Sequence, residues 1–238
     1  MDQLTKTLDF IKENIKTNLS LLSFIEGNPI YSAERAGNSV LVRGVSDYAW
    51  TYIESKDEVE LKVLLKKLTP EDNYFAAIPD WIVPYLINKR KTLWDIRTYQ
   101  YYLPEKVVFS DPHSSQILPL LPSDAEYIHN YTLYKVALLP SYLKDRILKG
   151  YSASIRQGNQ LIAWILTHDD GAIGCLHVLN EYRQKHYGLA VCSNLCEKLR
   201  NIGKKPFCYL GEANSQTEGF FTKVGFKKTI PVNWLCVK

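Results

Sequence analysis

The sequence predicts a mixed α/β (α+β) fold made of two halves. Segments whose apolar residues recur every three to four positions alternate with runs rich in β-branched and aromatic residues along all 238 residues, which indicates helices alternating with strands. The polar, turn-forming segment 109–116 interrupts this alternation and is the predicted linker. We therefore expect an N-terminal α/β domain at residues 1–110 and a C-terminal domain at residues 116–238.

The first half begins with an amphipathic helix over residues 1–18, whose apolar residues share one face: Leu4, Leu8, Ile11 and Ile15. Residues 19–25 can continue this helix until Gly27-Asn28-Pro29 stops it. A β-hairpin is predicted at 39–45 and 48–53. The remaining elements are a helix over 57–68 with Asp57 near its start, a strand over 73–78, a helix over 79–88 and a strand over 93–103.

The second half begins with two helices, one from about Pro122 to Tyr131 and one over 140–149. A meander follows, with strands at 151–156, 160–167 and 172–179 joined by turns at Gly158-Asn159 and at 168–171. Next come a helix over 189–202, a strand over 206–210, a small helix over 216–224 and a last strand. These elements carry the residues that we single out for function.

Composition excludes several classes of protein. The net charge of +4 is too small to indicate nucleic acid as the main partner. No apolar run approaches the roughly 20 residues that span a bilayer, and the N-terminus lacks the apolar core of a signal peptide. The five cysteines show no spacing typical of metal ligands. We therefore expect no metal, no membrane association and reduced thiols in a cytoplasmic protein.

A basic turn between the strand 172–179 and the helix 189–202 is the main functional candidate. It contains Arg183, Lys185, His186 and Gly188. Free N–H groups and the positive end of the helix dipole favour an anion at such a place, and Gly188 would let a phosphate approach the backbone closely. An ordinary strand-to-helix turn that uses Gly for its backbone conformation is the alternative.

The order of elements from about residue 150 to 238 resembles the GNAT superfamily of CoA-dependent acyltransferases, and within it the glycine N-acyltransferase (FR47-like) branch. The segments that carry the resemblance are Ser152-Ala153-Ser154-Ile155-Arg156, Ala163-Trp164-Ile165-Leu166, Asp170-Gly171-Ala172, Asn180-Glu181-Tyr182-Arg183 and the ending at 231–237. The resemblance implies a GNAT fold in which a catalytic, acetyl-CoA-binding C-terminal half follows a degenerate, non-catalytic GNAT-like half.

The resemblance also implies which residues bind acyl-CoA. Leu176, His177 and Val178 would contact the acyl end of the co-substrate, where backbone N–H groups near Val178 would polarise the thioester carbonyl. Strand alternation puts Gly174, Leu176 and Val178 on one face and Cys175, His177 and Leu179 on the other. The residues that would surround the pyrophosphate are Arg183, Gln184, Lys185, His186, Tyr187, Gly188 and Leu189. Asn214 would contact the pantetheine arm.

Three positions depart from the family pattern. His186 replaces the first Gly of the turn, Phe221 replaces a Tyr that protonates the leaving thiolate, and Ala172 replaces a Glu that serves as base. The candidate catalytic bases are therefore His177 and Glu212, with Tyr209 as a further candidate. His177 is favoured because its intrinsic pKa lies near the working pH, although a structural role is the common one for a lone His on a strand.

The resemblance implies an N-acetyltransferase that moves an acetyl or other acyl group from CoA to a primary amine by direct attack. The acceptor would be a small molecule or a peptide N-terminus. Its identity, the acyl chain length and the oligomeric state, including a homodimer, stay open. The alternative is a catalytically weak GNAT-fold module that binds CoA or another protein.

Overall fold

The structure is a computed structural model that describes residues 3–15, 17–109, 117–132, 134–211 and 215–238. Most of the predicted linker therefore lies outside the described residues. The chain divides into two compact units: residues 1–100, 210–215 and 228–238 form unit 1, and residues 101–209 and 216–227 form unit 2. The C-terminal strand thus groups with the first half of the chain. The predicted domain limits, 1–110 and 116–238, stay a prediction.

The helices of the described residues are α1 (Gln3–Asn14), α2 (Leu19–Gly27), α3 (Glu58–Leu65), α4 (Val83–Ile87), α5 (Ala125–Tyr131), α6 (Pro140–Lys149), α7 (Tyr187–Asn201) and α8 (Ser215–Val224). The strands are β1 (Ile30–Ala36), β2 (Ser39–Val45), β3 (Ala49–Glu54), β4 (Tyr74–Pro79), β5 (Thr92–Tyr102), β6 (Ile117–Leu118), β7 (Ser152–Gln157), β8 (Gln160–Thr167), β9 (Ile173–Val178), β10 (Phe207–Gly211) and β11 (Lys227–Val237). The predicted mixed α/β fold is confirmed.

The sheet of unit 1 is buried on both faces. Its strand order is β1-β2-β3-β4-β11-β5, and β2 supplies alternate residues to two hydrophobic clusters. Val40 and Val42 pack with Ile11 and Phe24 of α1 and α2, whereas Leu41 belongs to the cluster that contains residues of α3 and α4. The period-two alternation of a strand places successive side chains on opposite faces, so this short apolar strand supports helices on both sides.

Three details of unit 1 differ from the prediction. The first helix ends at Asn14, and a separate α2 begins at Leu19 because the side chain of Asn18 accepts a hydrogen bond from the Leu21 N–H at 3.0 Å and caps it. The strand β1, which pairs antiparallel with β2, was not predicted because its polar residues interrupt the apolar pattern that indicates a strand. The helix expected at 79–88 begins only at Val83, which places Pro84 in its first turn, where the missing N–H costs no hydrogen bond.

Unit 2 has the strand order β10-β9-β8-β7-β6. The strands β7, β8 and β9 form an antiparallel meander, as the sequence predicts. The helix α7 packs on this meander through a buried face that includes Val191, Leu195 and Leu199. The helices α5 and α6 pack on each other, and α6 contacts β8.

The two units repeat one arrangement. In unit 1 the antiparallel strands β1-β2-β3 are followed by α3 and then by β4, which runs parallel to β3. In unit 2 the antiparallel strands β7-β8-β9 are followed by α7 and then by β10, which runs parallel to β9. This repeat supports the prediction that the first half is a degenerate copy of the second.

Candidate functional site

The strand β9 lies between β10 and β8 in the sheet. Its parallel pair with β10 joins Ile173, at the start of β9, to Cys208. On the other edge, β9 pairs with β8 as far as its last residue, where Val178 lies opposite Ala163. The edge toward β8 is therefore paired to the end of the strand.

The backbone of Val178 points away from β8. The Leu179 N–H donates to the Ile162 carbonyl at 3.0 Å, so it points toward β8. Successive residues of a strand point their N–H groups to opposite edges, and the Val178 N–H and carbonyl therefore point away from β8. The Arg183 Nε donates to that Val178 carbonyl at 3.1 Å. The Val178 N–H points to the same side of β9 as this carbonyl, and a donor in that direction suits a carbonyl oxygen of a ligand.

A β-bulge lies just before Val178. The register shifts between the pairs Leu166–Gly174 and Trp164–His177, and Cys175 has the left-handed φ of +55°. Because of the extra residue, Gly174 and His177 lie on the same face of β9. The alternation expected from the sequence, with these two residues on opposite faces, is wrong. Burial raises the pKa of the Cys175 thiol to about 12, which keeps the thiol protonated at neutral pH.

The bulge turns His177 toward an aromatic cluster. Its ring stacks on Trp164 with a centroid distance of 4.6 Å and lies 5.1 Å from the ring of Tyr131. Burial, assisted by the positive charge of Arg183, lowers the pKa of His177 below its ordinary value of 6.5. The imidazole is therefore neutral at pH 7 and can accept a proton.

The turn before α7 contains two residues other than glycine whose backbone is left-handed. His186 has φ +63° and Gln184 has φ +60°, both in the left-handed region that favours glycine. Histidine is among the residues enriched there, so it can replace glycine at a cost of roughly 1–2 kcal/mol. His186 is the N-cap of α7 and makes no side-chain capping hydrogen bond. Its side chain therefore does not satisfy the N–H groups of the first turn.

Gly188 brings three elements together. A Cβ at this position would lie 3.4 Å from Cγ2 of Val178 on β9 and 3.5 Å from the ring of Phe220 on α8. A methyl group would just fit, and a larger side chain would press on one of these neighbours. The end of β9, the start of α7 and one face of α8 thus meet at the predicted turn.

The structure places most of the predicted binding residues around this point. Leu176 to Val178 end β9, while Arg183 to His186 form an exposed basic turn and Tyr187 to Leu189 begin α7. Glu212 and Asn214 lie outside the described residues. Ala172 and Phe221, where the resemblance implies a Glu and a Tyr, are each 2% exposed.

The sequence analysis did not single out one polar pair in this unit. The buried Tyr101 donates a hydrogen bond from its hydroxyl to Oε1 of Glu218 on α8. Glu218 lies two residues before Phe220, which contacts the Gly188 position. No local pattern could indicate this pair, because the two residues are 117 positions apart. It is a further candidate for acid–base chemistry.

Other kinds of site find little support in the described part of the chain. It contains no group of three or more His, Cys, Asp and Glu side chains that could hold a metal ion. None of its helices combines the length and the apolar character that crossing a membrane requires.

Comparisons with known proteins agree with this geometry. The family model described as FR47-like protein matches residues 152–235. A comparison with curated protein sequences found no match. Among solved structures, a Drosophila protein aligns with a TM-score of 0.80 at 14% identity, over 98% of this chain and 95% of its own.

Two bacterial structures connect the fold to acetyltransferases. One is an acetyltransferase of the GNAT family from Colwellia psychrerythraea, with a TM-score of 0.55 at 9% identity over 98% of this chain and 95% of its own. The other is a GCN5-related N-acetyltransferase from Kribbella flavida, with a TM-score of 0.52 at 12% identity over 92% and 93%. At such identities the likeness concerns the fold alone.

Proposed function

We propose that this chain, a GNAT-fold protein with an FR47-like C-terminal part, transfers an acyl group from acyl-CoA to a primary amine. Acetyl-CoA is the proposed donor, and the acceptor is the amine of a small molecule or a peptide N-terminus. The observation that carries the proposal is the Val178 backbone at the end of β9, whose N–H and carbonyl point away from β8. A helix N-terminus with a basic turn lies against the same residue.

The residues around Val178 suit the parts of acyl-CoA. The exposed Arg183 and Lys185 and the N–H groups that begin α7 provide positive charge for a pyrophosphate. Leu176 and Val178, both half-buried, offer apolar contacts and backbone groups to the acyl end. Asn214 would contact the pantetheine arm. The close approach of Gly188 to Val178 keeps these two regions adjacent.

The chemistry follows from these groups. The Val178 N–H would polarise the thioester carbonyl and stabilise the oxyanion that forms there. The acceptor nitrogen attacks the carbonyl carbon, the C–N bond forms and the C–S bond breaks, with release of the CoA thiolate. The proton of the amine passes to the neutral imidazole of His177, directly or through water. Glu212 is the second candidate base. Much of the acceleration would come from positioning.

A second candidate function is a GNAT-fold module that binds CoA without turnover, or that binds another protein. The observation that favours it is the buried, nonpolar character of Ala172 and Phe221. Neither can donate or accept a proton where the family has an acid and a base.

The test is isothermal titration of the full chain with acetyl-CoA. The variant Gly188→Asp would place negative charge and bulk against Phe220 and Val178. Its control is Gly27→Asp, since among the described residues nothing beyond its chain neighbours and its own helix backbone lies within 4 Å of the Gly27 Cβ position. We expect micromolar binding, about −8 kcal/mol, that Gly188→Asp weakens at least tenfold and Gly27→Asp leaves unchanged. Absence of binding by the wild type at millimolar ligand would overturn the proposal.

Titration and turnover together separate the two functions. If binding is confirmed, a screen of amines for thiol release tests transfer itself. If the chain binds acetyl-CoA but releases thiol with none of the amine classes, the result would support the second candidate, a module that binds CoA without turnover. The proposal also places the protein in the cytoplasm, with which the five free cysteines of the described residues accord.

A further inference from the structure

Unit 1 contains a pocket that the proposed function does not use. Its volume is about 550 Å³, which is within the range of small-molecule sites. The pocket lies among α1, the start of β2, the end of β3 and the first turn of α3. Its lining consists of Phe10, Asn14, Ile15, Thr17, Asn38, Ser39, Glu54, Ser55, Lys56, Asp57 and Glu60.

By the internal repeat, one wall of this pocket, the turn from β3 to α3, corresponds to the turn from β9 to α7 in unit 2. In unit 1 the corresponding position lies between the end of β3 and the start of α3. The recorded parallel pairs of β3 with β4 are Trp50 with Tyr74 and Thr51 with Phe75. Within the described chain, β3 therefore continues past its last pair with β4.

The chemistry of the unit 1 pocket is the reverse of an anion site. Asp57 caps α3, and its Oδ1 accepts the Glu60 N–H at 2.9 Å. Oε2 of Glu60 accepts the Asn38 N–H at 3.0 Å and the Ser39 hydroxyl at 2.7 Å. Carboxylates thus occupy the place where α7 offers N–H groups. A phosphate would meet like charge here.

Glu54 is the residue that indicates a ligand. It is 9% exposed, and its Oε2 accepts a hydrogen bond from Asn18 Nδ2 at 2.9 Å. Its Oε1 has no hydrogen-bond partner among the described residues. Burial raises the pKa of Glu54, against the opposing effects of Asn18 and Lys56. A cation placed beside Oε1 would add counter-charge to that of Lys56 and give this oxygen a hydrogen-bond donor.

We propose that this pocket binds a small organic cation with a primary ammonium group on an alkyl chain. The ammonium would donate to Oε1 of Glu54, and hydroxyl groups of the lining can accept its remaining protons. Phe10 and Ile15 provide an apolar wall for the chain. Among the lining residues that the structure describes, there are three carboxylates and one ammonium, that of Lys56. The pocket is therefore an amine site in the half of the chain for which we propose no catalysis.

The probe is 1,5-diaminopentane, titrated calorimetrically into the full-length chain. Pentane-1,5-diol, which has the same length without charge, is the control ligand. Glu54→Gln removes the charge and keeps an oxygen for Asn18. Glu58→Gln is the matched control variant. Glu58, at the start of α3, has the same charge as Glu54, but it is half-exposed and does not line the pocket. Thermal unfolding of both variants verifies that each is folded.

We expect the diamine to bind at one site, with affinity lowered at least tenfold by Glu54→Gln and changed less than twofold by Glu58→Gln. The diol should not bind. The proposal is overturned if the wild type does not bind the diamine, if the diol binds equally well or if both variants weaken binding alike. In the last case the attraction would be that of the surface charge alone. None of these outcomes depends on acyl transfer.

Discussion

The Val178 N–H gives the sharpest prediction of the proposed mechanism. Because this group points away from β8, it contributes no hydrogen bond to that ladder. Replacing Val178 by Pro should remove the donor and leave the pairing of β8 with β9 intact. Proline is tolerated in strands where the N–H faces away from a partner. The restriction that Pro imposes on the preceding residue, an extended backbone, is already met by a strand.

The magnitude follows from the role of the donor. Loss of one oxyanion donor lowers turnover by roughly 10²- to 10³-fold, about 2.7–4 kcal/mol of barrier. Leu179→Pro is the contrasting variant, since the Leu179 N–H bonds the Ile162 carbonyl at 3.0 Å and its side chain is 3% exposed. It should cost about 3 kcal/mol or more of stability.

The assay pairs thiol release from acetyl-CoA in the presence of an amine with urea unfolding. Val178→Ala, which retains the N–H, controls for the lost side chain and should keep turnover within about tenfold of the wild type. The reasoning is refuted if Val178→Pro turns over like Val178→Ala, or if it unfolds as readily as Leu179→Pro. Either result would mean that the Val178 N–H does not face a reacting carbonyl.

Two further predictions concern pH and the core. The lowered pKa of His177 means that its neutral form persists below pH 6.5. Turnover should therefore fall only as pH drops through that lowered value, and a pH–rate profile of His177→Gln should lack this acidic limb; a limb that persists would exclude His177 as base. Asp72→Asn should cost about 3–5 kcal/mol in urea unfolding, because it leaves Arg43 buried without its carboxylate, now 2.7 Å away. Burial by itself would raise the pKa of Asp72, but hydrogen bonds from Arg43, the Thr69 N–H and Thr51 lower this pKa below 3.8. Its contribution should be present above pH 3.8 and be lost as pH falls through the folded-state pKa; a loss under 1 kcal/mol at pH 7 would contradict this.

The sequence predicted the elements of the C-terminal half because their signals are local. Turn residues such as Gly158 and Gly171 separate the strands of the meander, and the basic turn stands directly between a strand and a helix. The approach of Gly188 to Val178 was not predicted and is a finding of the structure.

What the sequence could not predict depends on contacts between distant residues. The bulge at Cys175 follows from the register with β8 and reverses the face of His177. The strand β11 pairs with β4, as Val232 with Pro79 shows, across more than half of the chain. The amine pocket depends on Asn18 reaching Glu54, 36 residues away. Alternation and spacing carry no information about such pairings.

The central claim is that acyl-CoA binds at the end of β9, against the start of α7. The most direct test is a ¹H–¹⁵N NMR titration of the labelled chain with acetyl-CoA. The account predicts that the amide signals of Val178, Gly188 and Leu189 shift together and saturate with one dissociation constant, while those of Glu54 and Asp57 stay in place. Shifts confined to unit 1, or saturation that leaves the Val178 and Gly188 signals unmoved, would contradict it.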